Sequence, residues 1–156
     1  MDRRIEQLQT ELQTLVSGLP AFAEGAFSIF DLEDLKHKTT MQMPPVVGIT
    51  YDGAIPVQAN QGVASDFKSG NARLITFQFS VIIGIQYIFA GQDDTKPVGM
   101  NLLDEIRETL EGYKGVNNRP WVWAGEKPED DVSSDGLIFY SQVWRTNVVK
   151  LGATNN

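Results

Sequence analysis

No cysteine occurs in the chain, which removes disulfide frameworks, thiolate zinc sites, iron–sulfur ligation and cysteine nucleophiles together. Histidine is nearly absent as well. The single imidazole, His37, lies between Lys36 and Lys38 in a polar stretch. No partner can be assigned to it there, so it reads as a solvated surface group and not as a general base or ligand. Cations are in deficit, 13 Lys and Arg against 20 Asp and Glu, for a formal net charge of -7; such a field repels nucleic acid and anionic lipid headgroups. No long hydrophobic run exists either. The longest, around Ser80 to Ala90, is interrupted by Gly84 and Gln86 and falls short of the roughly 20 residues a membrane helix needs. The amino terminus, Met1-Asp2-Arg3-Arg4-Ile5-Glu6, enters an amphipathic pattern directly, without the apolar segment and cleavage site of a secretory signal. A cytoplasmic chain with no membrane span is therefore expected. Glycine-rich phosphate cradles are missing in both common forms, and so is the Gly-x-Ser-x-Gly nucleophile elbow.

What is present is an ordinary globular composition over 156 residues, 42% hydrophobic and 21% charged. A chain of this size buries roughly 70% of the surface its unfolded form exposes, so one core suffices without staples. We read residues 1–151 as a single domain and 152–156 as a frayed tail. From Asp2 to Leu19 the apolar residues Ile5, Leu8, Leu12, Leu15, Val16 and Leu19 recur at helical spacing, and Gly18 with Pro20 supplies a left-handed cap and a breaker. Ala26 to Phe30 reads as a short strand, and Asp31 to Met43 as a polar connection or irregular edge. Pro44-Pro45 leads into the strand Val46 to Tyr51, ended by Asp52-Gly53.

Ala54 to Ala72 has little periodicity and carries Pro56, Gly62 and Gly70; a loop of that length in a compact domain is a candidate interaction arm. Arg73 to Phe89 alternates strictly, so a long strand is expected. Its first half has a polar outer face. Its second half is apolar on both faces and must be covered by a helix or by another subunit. Pro97 suits the first position of a second helix with the stripe Leu103, Ile106, Leu110 and Tyr113, closed by Gly112 and Gly115. Trp121-Val122-Trp123 is a short strand, Glu126 to Gly136 an acidic loop, and Leu137 to Leu151 a final long strand. Strands and helices do not alternate regularly. The fold class is therefore α+β, an antiparallel or mixed sheet with two helices on one face and long loops or hairpin arms.

The carboxylates at Asp93-Asp94 and in Glu126-Lys127-Pro128-Glu129-Asp130-Asp131 could ligate a hard cation or do acid–base work. Their spacing matches neither an EF-hand nor a catalytic pattern, and like charges in loops usually serve solubility. Trp121, Trp123 and Trp144 could stack a base or sugar, yet aromatic strands more often fill a core or a subunit interface. Neither a cofactor nor a metal site is expected, and no enzyme.

The succession resembles the tail terminator (tail completion) family of long-tailed bacteriophages, in the branch with Mu-like contractile tails. The residues that carry it are the opening helix closing at Gly18-Leu19-Pro20, the run Pro44-Pro45-Val46-Val47-Gly48-Ile49, the strand Arg73 to Phe89, the helix around Leu102 to Tyr113 and the strand Phe139 to Val149. The likeness is one of order and texture over nearly the whole chain, and the Ala54 to Ala72 segment and the Glu126 to Asp135 loop depart from it. It implies a structural virion protein of the tail and neck, assembled in the host cytoplasm. Its copies would close into a ring, usually a hexamer, that caps the tail tube, ends its polymerisation and offers the head a docking surface. The partners implied are the chain itself, the tail tube protein and also sheath and head–tail connector or stopper proteins; DNA would pass the lumen without specific binding. Asp93, Asp94, Glu126, Glu129, Asp130 and Asp131 are candidates for the lumen or axial faces, where carboxylates would keep phosphate sliding. Val81, Ile83, Ile85, Tyr87, Phe89, Trp121, Trp123 and Trp144 are candidates for the subunit interface. The alternatives are a connector, stopper or baseplate component of the same particle, and a small-molecule enzyme or ligand-binding domain with a pocket between sheet and helices.

Overall fold

The structure is a computed structural model that describes residues 4–22, 24–40, 44–57, 72–87, 97–129 and 136–151, with residues 72, 73, 87, 97, 98, 150 and 151 described by their backbone alone. The elements run α1 (Arg4–Ser17), β1 (Ala26–Ser28), α2 (Leu32–Lys38), β2 (Val46–Pro56), β3 (Ala72–Tyr87), β4 (Pro97–Val98), α3 (Asn101–Leu110), β5 (Val122–Pro128) and β6 (Leu137–Leu151). Across the sheet the order is β1-β2-β3-β6-β5, with β4 paired to β3. Only β1 and β2 run parallel; the remaining pairs are antiparallel. The fold is thus α+β on a mixed sheet.

Alternation decides the two faces. Along β3 the odd residues Phe77, Phe79, Val81, Ile83 and Ile85 join Val47 and Ile49 of β2 and Trp144 and Val148 of β6 in one cluster. Onto this face α1 turns Leu8, Leu12 and Val16, and α3 turns Leu102, Leu103, Ile106 and Leu110. Each α1 residue of that stripe is fully buried, worth about 1.5–3 kcal/mol apiece in area removed from water. Both helices expected from periodicity therefore share a face, as read from the sequence.

The second half of β3 is covered on its other face too, and the cover is α2. Leu35, with Leu32 beside it, packs with Ile29, Val46, Ile82 and Phe139. Asp31 to Met43 is thus not a plain connection. Seven residues are too few for helical periodicity to show, but the end signals are there: the Asp31 side chain accepts the Asp34 N–H at 2.9 Å, Glu33 and Asp34 fill the first turn, and Lys36, His37 and Lys38 the last. The carboxylates and the two lysines oppose the helix dipole at its two ends. Tight approach under α2 uses two strand glycines. A Cβ on Gly84 would lie 2.6 Å from Phe139 Cε1, and one on Gly48 2.5 Å from Ile29 Cδ1.

Other expectations are revised. Gly18 is not among the residues of positive φ, which begin with Gly25; its N–H bonds back to Thr14 and Leu15 carbonyls, so the chain unwinds through successive turns before reversing. Pro97 opens no helix but pairs with Tyr87 as part of β4. The strand at Ala26 stops at Ser28, while β2 continues past a bulge between Tyr51 and Gly53 to Pro56, taking residues 54–56 out of the expected loop. Glu126 to Pro128 belong to β5, and not to an acidic loop. Residues 58–71, the bulk of the expected arm, and the tail 152–156 lie outside the described residues.

Candidate functional site

The residues expected to face a neighbour are mostly core. Val81, Ile83, Ile85, Trp121 and Trp144 are all 0% exposed; they lie under α1 and α3 and leave no surface for another copy. The apolar surplus that suggested an interface is consumed within the protomer, because helices cover β3 from both sides. Trp121 lies edge-on to Phe79, centroids 5.7 Å apart. Trp123 alone of the three tryptophans is exposed, and the Arg107 guanidinium stacks on it at 5.1 Å. Phe89 and the side chain of Tyr87 lie outside the described residues, as do Asp93, Asp94, Asp130 and Asp131.

Glu126 is not a free surface charge. Its Oε1 accepts from Arg107 at 2.6 Å and from the Gln142 amide at 2.8 Å. Gln142, fully buried on β6, also donates to the Leu103 carbonyl at 2.9 Å and accepts the Trp144 indole N–H at 3.2 Å. Arg107 pairs with Asp104 as well. Partial burial works against the Arg107 charge, but its two carboxylate partners hold its pKa above the usual value. The group clamps α3 to β5 and β6, which is a structural task. Glu129 follows β5, its N–H donating to the Phe139 carbonyl at 2.8 Å. Of the six acidic candidates, then, the structure commits Glu126 to the clamp and leaves Glu129 partly exposed.

The two outer strands carry contacts that hinder strand addition, while β2 runs on past the end of β1. At β1, Ser17 Oγ accepts the Ala26 N–H, Gln13 donates to the Ala26 carbonyl, and Lys38 donates to the Ser28 carbonyl, each at 2.8 Å. At β5, Glu111 accepts the Trp123 N–H at 3.0 Å, a bulge falls between Trp123 and Gly125, and Pro128 has no N–H to give. These are the devices by which folded sheets refuse strand addition.

One sheet face is left uncovered by the described elements. Beyond α2, the rows Ser80–Val143, Gln78–Arg145, Thr76–Asn147 and Leu74–Val149 continue across β3 and β6. Ile55 extends this floor on β2, and Val122 and Lys127 extend it on β5. Ile55, Val122 and Val149 are 53%, 49% and 38% exposed. At the α2 rim stands Phe30, 89% exposed. Its backbone is pinned on both sides, the N–H donating to Asp34 and the carbonyl accepting from Thr50, each at 3.0 Å. On the opposite side of the molecule a shallow hollow of about 540 Å³ runs along α1, lined by residues that include Thr10, Thr14, Leu15, Tyr113 and Val116.

The sequence showed the polar outer face of the first half of β3 but not its extension across β2, β5 and β6. Its signal was the odd set of β6, which changes from Leu137 and Phe139 to Arg145 and Asn147, and that change marks where the cover ends. Among the described residues, no three His, Cys, Asp or Glu side chains are grouped to hold a metal ion, and no helix is long and apolar enough to cross a membrane. No protein-family model matches this chain, and no curated protein matches it either.

Proposed function

We propose that the chain is a structural virion subunit, a tail terminator whose copies close into a ring, usually six in the family it resembles, on the head-proximal end of a tail tube. The ring ends tube growth and presents a docking surface for the head; the chain transforms no substrate. The observation that carries this reading is a broad sheet face that the described elements leave uncovered, beside outer strands β1 and β5 whose edges are hindered. A face bearing Ile55, Val122 and Val149 beside charged residues suits burial against another folded surface. Hindered edges on β1 and β5 favour face-on docking over strand addition there. The order of elements in the resembling family is the second support.

The test is mass by light scattering with negative-stain imaging, alone and with tail tubes. Rings of several protomers, or rings formed only on tube ends, are the expected result. A monomer under both conditions overturns the reading. Co-purification with the tail tube protein places the ring at the tube, whereas capture by portal or adaptor proteins alone would move it to a connector station.

A further inference from the structure

We infer that the uncovered sheet floor is the surface on which a second copy of this chain seats its helical layer, so that the ring reading, on which this rests, acquires a defined heterologous contact. Among the described residues, the charged side chains on the floor are Arg145 and Lys127, both exposed, against Asp52. Arg145 is held in place by its Nε donating to Gln78 Oε1 at 2.9 Å. Ser80 donates to Asp52, so that carboxylate is partly satisfied in place.

The helical layer has the opposite sign. Leu102, Leu103, Ile106 and Leu110 take the inner side of α3; by helical geometry Asn101, Asp104, Glu105, Glu108 and Glu111 then share the outer side. Within α1, α3 and Glu111 two arginines stand against six carboxylates. A weakly basic, apolar-studded floor and an acidic helical face lie on different sides of one protomer. Self-complementary surfaces at different places make a head-to-tail contact, which closes into a ring when the rotation permits. Like surfaces meeting face to face would instead oppose charges of one sign. Phe30, held by its backbone and almost fully exposed, gives the floor's rim an aromatic of a type enriched at interfaces. The hollow along α1 lies within the helical layer that would receive it.

Two charge-reversed chains test the assignment. The floor variant carries Arg145→Glu with Lys127→Glu, and the helix variant carries Glu105→Lys with Glu108→Lys; all four residues lie outside the clamp around Glu126. Circular dichroism and thermal unfolding check that each folds. Each variant alone is expected to lose self-association, its dissociation constant rising at least about a hundredfold. Mixed in equal amounts they should reassemble, because an acidic floor then meets a basic helix face and the normal floor meets the normal helix face in alternation. If the wild type forms rings and either variant does so unaided, or if the folded variants fail to assemble on mixing, the surface assignment is overturned while the ring reading stands. A floor variant that keeps its ring but no longer attaches to tails also overturns it, assigning the floor to another protein. A wild type that is monomeric alone and with tubes overturns both.

Discussion

Glu11 joins three parts of the chain with one carboxylate: Oε1 accepts the Trp121 indole N–H at 2.8 Å and Oε2 the Val116 backbone N–H at 2.6 Å. Trp121 is fully buried, so removing its acceptor strands a donor away from water. Glu11→Ala should cost about 1–3 kcal/mol in urea unfolding, whereas Glu33→Ala, whose ion pair with Lys36 is largely exposed, should cost less than about 1 kcal/mol. Equal effects would mean that the indole finds another partner. Gly84 makes the opposite demand, for an absent group. With Phe139 Cε1 at 2.6 Å and Val46 Cγ2 at 2.9 Å from any added Cβ, Gly84→Ala should destabilise by about 1–3 kcal/mol. Combining it with Phe139→Leu, which makes room, should be less than additive; strict additivity would show that the two sites do not share the strain.

At the scale of elements, α2 is the piece most dependent on its ends. The Asp34 carboxylate accepts the Phe30 N–H and pairs with Lys38 at 3.3 Å. The backbone hydrogen bond from Phe30, opposed by some desolvation and aided by Lys38, holds its pKa below the ordinary 3.8. A depressed carboxylate pKa stabilises the fold above the unfolded value and loses that contribution as pH falls through the folded one. Stability should therefore decline below about pH 3.8 by an amount that Asp34→Asn removes; denaturation midpoints measured across that range would overturn this if both chains fell equally. The same helix shows what periodicity can resolve. For α1 and α3, several turns repeat an apolar stripe, and β3 and β6 alternate over many residues, so those four elements are legible in order and type. For α2 the sequence offered a capping Asp31 and charges at both ends but one fully buried leucine, Leu35, and about two turns of pattern are hard to tell from a polar loop.

At the scale of the whole molecule, the described charges of the sheet floor and of α1 and α3 differ in sign, and that difference carries a prediction of its own. If oppositely charged faces meet between copies, self-association should weaken steadily between low and high ionic strength, since the screening length shrinks from about 30 Å at 0.01 M to about 3 Å at 1 M. Sedimentation or light scattering over a salt series reads this directly. Association that strengthens with salt would assign the contact to apolar burial alone and remove the electrostatic part of the argument.

By itself the sequence determined the fold class, the two long helical stripes, the long strands and the absence of thiol chemistry, because periodicity and composition are local properties carried by many residues at once. It also required a cover for the second half of β3, though not which element supplied it. Only the tertiary structure decided that α2 is that cover, that Val81, Ile83, Ile85, Trp121 and Trp144 are core and not interface, that Glu126 is committed to Arg107 and Gln142, and that the open ground lies around Arg145 and Lys127. The reason is physical: alternation tells which side chains share a face, but whether that face meets water, a helix or another molecule depends on contacts between residues far apart in the chain.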